Sequence, residues 1–277
     1  MGSADLYIDE VHDKRRKRRI YYFSIAGFLA LDLLLAGTAW IFTRTSLFRA
    51  QDVSVSGNSA VSAADILDLV HANVPGRGWM NNFLGFNNLL VWPKSIATSN
   101  LALLPAIETI GITKDYNSKK VDVVVTEREP YATWCRMELS DASDTSAAAD
   151  CFWFDTSGVI FKRALASEGS LILAVRDYSG EKVLGLGLKV LLDEQIPNLI
   201  SVLNVIKKSG VNIEEIRLND AVLGELEVDT FNGPKLYFSL RFKADDTLPV
   251  MQDFISKAGF KNLEYVDFRV EKRVYYK

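Results

Sequence analysis

The longest apolar run in the chain, Ile20 to Phe42, is broken by one charged residue, Asp32, and directly follows six consecutive cations, Lys14 to Arg19. As a helix this run would be roughly 34 Å long, enough to cross a hydrocarbon core of about 30 Å. Cations beside a first spanning helix hold their end in the cytoplasm. Tyr21, Tyr22 and Trp40 fall near the two ends, where interfacial aromatic anchors sit. The pattern predicts a cytoplasmic basic tail over residues 1–19, a transmembrane helix over 20–42, and an extracytoplasmic remainder. A cleaved signal peptide fits less well, because its apolar core is shorter and ends in a small-residue cleavage site.

After the span the period changes. Val53 and Val55 alternate with Asp52, Ser54 and Ser56, as in a half-buried strand, and Gly57-Asn58 turns the chain. Ser62, with Asp65 three residues on, marks a helix start. Ile66, Leu67, Leu69 and Val70 give that helix its apolar stripe. Residues 74–92 read as a loop whose Trp79, Phe83 and Phe86 suit a lipid surface. Pro93 opens a second predicted helix through about Leu103. Ile107–Tyr116 and Lys120–Pro130 read as a hairpin. This gives β-α-α-β-β over residues 47–130.

Residues 131–277 read as a mixed, β-rich block. Strands are predicted at Tyr131–Leu139, Cys151–Asp155, Val159–Arg163 and Leu171–Tyr178, with a Thr156-Ser157-Gly158 turn. A helix is predicted from about Lys189 to Ser209, then strands near Ile213–Asn219, Leu223–Thr230 and Leu236–Phe242. A second helix covers Leu248–Ala258, and Leu263–Lys277 forms two short strands or one bent one. The fold class is α+β: one transmembrane helix followed by two extracytoplasmic domains.

Net charge is −3, and without the six cations of Lys14–Arg19 the remainder carries −9. Such an exterior lacks the basic footprint of a nucleic-acid binder. Cys135 and Cys151 flank a small-polar stretch, and no His or Cys stands near them at metal-ligand spacing. Two readings fit them: a disulfide across a hairpin, or two free small hydrophobes. Catalytic constellations find little support. His12 precedes the cation cluster, His71 closes a helix, and no HExxH, P-loop or strand-linked GxGxxG occurs. Glu127 and Glu129 share a strand face and read as solvated, with Arg128 on the other side. The expectation is therefore no enzyme, no cofactor, no metal and no small-molecule substrate.

The ordered set of motifs resembles the FtsQ/DivIB cell-division family. FRAQDVSVSGN, SAADI, LLPAIETIGITKD and VDVVVTEREPYATW resemble its POTRA domain, here residues 47–130. CFWFDTSGVIFKR and the terminal YVDFRVEKRVYYK resemble its β-domain, here residues 131–277. The resemblance implies a single-pass scaffold of the divisome at the cell membrane and division septum. It further implies recruitment and regulation of septal peptidoglycan synthesis, and binding of bitopic coiled-coil partners of the FtsB/DivIC and FtsL type. A POTRA-bearing envelope transport or assembly factor is the rival expectation.

The family's partner mode, strand addition, directs attention to the last strand. Tyr265, Phe268, Tyr275 and Tyr276 offer contact area there, and Arg269 and Arg273 offer cations for an acidic partner. The opposing reading makes some of these aromatics core and the cations edge protection. Asp32 also has two readings. An ionised acid in mid-span costs about 2.5 to 3.5 kcal/mol. It is either protonated and tolerated, or contacts a polar group on another spanning helix.

Overall fold

The computed structural model describes residues 3–44, 48–73, 85, 87–138, 147–165, 172–180, 183–257 and 259–277. Trp79, Phe83 and Phe86, expected to suit a lipid surface, lie outside these residues. The chain separates into two compact units. One comprises residues 1–56, 66–96 and 111–124, the other residues 57–65, 97–110 and 125–277.

α1 runs without a break from Ser3 to Arg44. The segment read as a tail is thus helical, not merely a basic leader. Within α1, Arg18–Ile41 is long and apolar enough to cross a membrane, and none of that stretch is buried against protein.

β1 (Asp52–Ser56), β2 (Ile107–Asp115) and β3 (Lys120–Glu127) form a sheet in the order β1-β3-β2, with β1 and β3 parallel. Between β1 and β2 lies α2 (Ala63–Asn73), which buries Ile66, Leu69 and Val70. The Ser62 hydroxyl accepts from the Asp65 N–H at 3.1 Å, capping the helix as the sequence predicts. The second predicted helix is absent; only a 3-10 turn, Thr98–Leu103, forms. Upstream of that turn, the Lys94 carbonyl accepts from Ile112 at 2.8 Å, and Ser95 bridges Gly111. Backbone held in a bridge to a strand does not take the helical conformation that a ladder needs.

The β1–α2 connection is clasped by Glu127. Its carboxylate takes the N–H groups of Ser59, Ala60 and Val61 at 2.8 to 3.0 Å and the Ser59 hydroxyl at 2.6 Å. Gly57 permits this turn: its φ is +83°, and a Cβ there would lie 2.1 Å from the Val125 carbonyl oxygen. Glu127 is therefore no solvated strand residue, which corrects the sequence reading. Burial alone would raise its pKa, but the Ser59 hydroxyl and three N–H donors prevail and hold it at about 2. A depressed carboxyl stabilises the fold above its unfolded value and loses that contribution as pH falls through the folded one. Glu127→Ala should thus cost roughly 2 kcal/mol near neutrality, after a discount for partial exposure. Thermal unfolding against pH checks this: the gap to the native protein should close as pH falls from about 4.5 towards 2.

The larger body is built on a nine-stranded sheet. Its strands are β4 (Ala132–Glu138), β5 (Ala147–Phe154), β6 (Ile160–Ala164), β7 (Ala174–Asp177), β8 (Ile213–Asp220), β9 (Glu225–Thr230), β10 (Lys235–Ser239), β11 (Tyr265–Asp267) and β12 (Tyr275–Tyr276). Their order is β12-β11-β10-β9-β8-β7-β4-β5-β6. The β7–β8, β4–β7 and β10–β11 pairs are parallel and the others antiparallel. α3 (Ile196–Ser209) and α4 (Leu248–Ser256) pack with one sheet face into a single core. α3 starts seven residues later than the pattern predicts. Residues 187–190 instead pair with the 158–160 segment, where Val159 bridges Lys189.

Two buried arrangements fasten this body. Arg128 and Asp155 form an ion pair with side chains 9% and 8% exposed. Arg128 Nε also donates to the Pro105 carbonyl at 3.0 Å. Asp155 accepts the Ser157 and Val159 N–H groups, each at 2.9 Å, which shapes the β5–β6 turn. Cys135 and Cys151 stand opposite each other on β4 and β5 and are joined by a disulfide.

Candidate partner-binding edge

Apart from the bulges in β8, strands β8, β9 and β10 alternate apolar and polar residues, so the sheet has two unlike faces. Strand register makes both faces readable as rows. Phe152, Trp134, Val175, Ile216, Val228, Leu236 and Val266 stand side by side across β5, β4, β7, β8, β9, β10 and β11. All seven are buried. The next member of this row, on β12, is Tyr276, paired with Val266. It is 60% exposed. Its ring meets Phe254 of α4 edge-to-face at 5.0 Å. The row ends in an uncovered aromatic because, among the described residues, no strand follows β12 in the sheet.

The opposite face carries a second row: Ala164, Cys151, Cys135, Arg176, Arg217, Glu227, Tyr237, Asp267 and Tyr275. Cations and carboxylates interlock along it. Glu215 receives Arg176 at 3.0 Å and the Tyr178 hydroxyl at 2.8 Å. Arg217 reaches both Glu215 and Asp229, and Lys235 links Asp229 with Glu227. Burial alone would raise the Glu215 carboxyl, but the Tyr178 hydroxyl and Arg217 and Arg176 hold it low. The hydrogen bond to Glu227 pushes the Lys235 ammonium up, against its burial. Over β7 to β10 these charges satisfy one another.

The backbone of β12 is open on one side. Lys277 exchanges hydrogen bonds with Tyr265, N–H to carbonyl at 3.2 Å and the reverse at 3.4 Å. In an antiparallel pair the next residue points its N–H and C=O the other way, so those of Tyr276 face outward. The edge at β6 differs. Its start is covered by residues 187–190, and Lys162 and Arg163 stand exposed on the strand.

The six residues expected at this edge take different places. Tyr275 and Tyr276 lie on β12, one on each face, 47% and 60% exposed. Arg273 is exposed in the turn before β12 and forms no ion pair among the described residues. Tyr265 is half-buried against Tyr237, ring centroids 6.3 Å apart. Arg269 is occupied: it binds Asp267 at 2.7 Å and Glu225 at 2.8 Å and lies 4.9 Å over the Tyr237 ring. The Asp267 hydrogen bond, with Glu225, raises the guanidinium further despite its burial. Phe268 is a correction. At 2% exposure, stacked on Phe238 at 5.2 Å, it belongs to the core and offers nothing to a partner.

Phe254, which supports Tyr276, escaped the sequence reading, as did Glu225 and Tyr237, which hold Arg269. The alternation in ELEVDT, KLYFS and YVDF carried the face assignment, but the pairing register that joins these residues spans distant segments. His71, exposed in the last turn of α2, packs edge-to-face on Trp92 at 5.5 Å. No known family model matches the chain, and no curated protein is similar to it.

Proposed function

We propose that this protein is a single-pass membrane scaffold of the bacterial divisome, FtsQ/DivIB-like, that binds partners through β12 and is not an enzyme. In this reading residues 1–19 lie in the cytoplasm, 20–42 cross the cell membrane, and the rest lies outside, at the septum. Residues 47–130 act as a POTRA domain and 131–277 as the partner-binding β-domain. The partners are bitopic coiled-coil division proteins of the FtsB/DivIC and FtsL type, and through them the machinery of septal peptidoglycan synthesis.

The carrying observation is the open edge at Tyr276, where a buried row of seven residues continues into an exposed aromatic beside outward-facing backbone groups. An added strand would satisfy those groups and place an apolar side chain against Tyr276 and Phe254. The disulfide supports an oxidising compartment for the larger body. The element order strand, helix, 3-10 turn, strand, strand supports the POTRA reading. The cations ahead of the apolar stretch support the orientation.

Removing all of residues 263–277 would take Val266 and Phe268 out of the core, so the informative variants stay on β12. Tyr276→Pro removes an outward N–H without touching the bonds to β11. Tyr276→Ala removes the ring. Each should weaken capture of an FtsB/DivIC-type ectodomain at least about tenfold. Both variants should keep the native unfolding temperature within a few degrees. Unchanged capture by both variants, or a fluorescent fusion spread evenly around the envelope, would overturn the proposal.

A further inference from the structure

Between Ile20 and Ile41 the chain has one ionisable acid and no base: Asp32. The two aliphatic hydroxyls of this stretch are satisfied within the helix. Ser24 donates to the Tyr21 carbonyl at 3.2 Å and Thr38 to the Leu35 carbonyl at 2.8 Å. The Asp32 carboxyl is exposed and has no hydrogen-bond or ion-pair partner among the described residues. At 1.5 Å per residue it stands about 21 Å from Arg18 and about 14 Å from Ile41, too deep to reach either interface. Ala36 and Ala39 follow one and two turns on along the same helix face, so a second helix can approach closely there. Leu34 is on the opposite face.

We infer that Asp32 docks α1 against a different spanning helix that carries a lysine, arginine or histidine at matching depth. The inference rests on α1 crossing the membrane. Charge decides the occupant. A buried carboxylate is matched by a cation, and in the bilayer core such groups pair with one another. A second copy of this chain is disfavoured twice over. Parallel copies would set Asp32 against Asp32 and crowd Lys14–Arg19 of one against the same six cations of the other.

A photo-crosslinking residue placed at Ala36 or at Leu34 of the full-length protein, in its native membrane, tests this. The Ala36 position should give an adduct whose crosslinked partner span contains a basic residue, and the Leu34 position should not. Asp32→Leu, which inserts more readily than the native residue, should cut the Ala36 adduct at least tenfold. Replacing the partner's basic residue with leucine should do the same. An adduct with a second copy, a partner span without a basic residue, or a yield indifferent to Asp32→Leu overturns the inference. Alkaline carbonate extraction separates the premise from the contact. Release of the native protein defeats both, whereas membrane-retained protein lacking an Asp32-dependent adduct defeats the contact alone.

Discussion

Replacing Arg128 with methionine is expected to destabilise the larger body by about 4 kcal/mol, the largest effect of any single substitution considered. The side chains of Arg128 and Asp155 are about nine-tenths buried, and the arginine supplies the positive charge beside that carboxylate. Methionine fills most of the volume but strands the acid. Asp155 would keep the N–H groups of Ser157 and Val159, which hold its geometry without neutralising its charge. The Pro105 carbonyl would lose the Arg128 Nε donor as well. At two to four degrees per kcal/mol for a body of this size, the thermal midpoint should fall by roughly 10 °C. Adding Asp155→Asn to Arg128→Met removes the stranded charge and keeps an acceptor for the two N–H groups. That double variant should recover about half of the loss. Equal stability of the two variants would show that the missing hydrogen bonds, and not the unpaired charge, carry the cost.

The same arrangement shows where the sequence was legible. Alternation alone puts Arg128 on the strand face opposite Glu127 and Glu129, and Thr156-Ser157-Gly158 reads as a turn. Nothing local says that Arg128 and Asp155 meet, because 27 residues separate them. The same division holds elsewhere. The apolar stretch of α1, the Ser62 cap and the alternation of β8 to β10 are local patterns and could be read directly. The misreadings at 93–103 and 189–195 are places where a distant strand claimed the backbone, at Ile112 for one and at Gly158 and Ile160 for the other. Phe268 and Tyr276 are both aromatics of one terminal segment, yet one is core and the other uncovered. Only the register of β10, β11 and β12 separates them. Glu127 shows the limit most plainly: a period-two pattern gives its face, while its role as a clasp depends on a loop 66 to 68 residues earlier.

The two edges of the sheet also differ in what protects them. The edge at β6 has both a covering segment and two cations. β12 itself carries no charge; Lys277 beside it is engaged with Glu264 at 2.9 Å, and the exposed Lys272 and Arg273 lie just before the strand. Charged residues and covering segments are how soluble proteins prevent strand addition. Under the proposed function, the uncovered end at β12 is the one that takes the partner strand. Arg269 ties the segment after β11 to Glu225 on β9.

Breaking the Cys135–Cys151 disulfide by replacing both cysteines with alanine should cost about 3 kcal/mol, and the form of the loss should differ from that of Arg128→Met. The bridge joins residues 16 apart in sequence that already face each other across β4 and β5, so the folded state needs little rearrangement without it. In the chain-entropy account, what changes is the unfolded chain, which gains the freedom of an opened loop. A looser unfolded chain exposes more surface, so the dependence of stability on urea should steepen in the double-alanine variant and stay unchanged in Arg128→Met. The two effects should also add, because one acts on a buried charge at the β5–β6 turn and the other on loop closure. If the double-alanine variant instead keeps the native urea slope while losing the full 3 kcal/mol, the loss lies in the folded state. The small cluster around the bridge, Met137 with Ala164 and Tyr178, would then be its source.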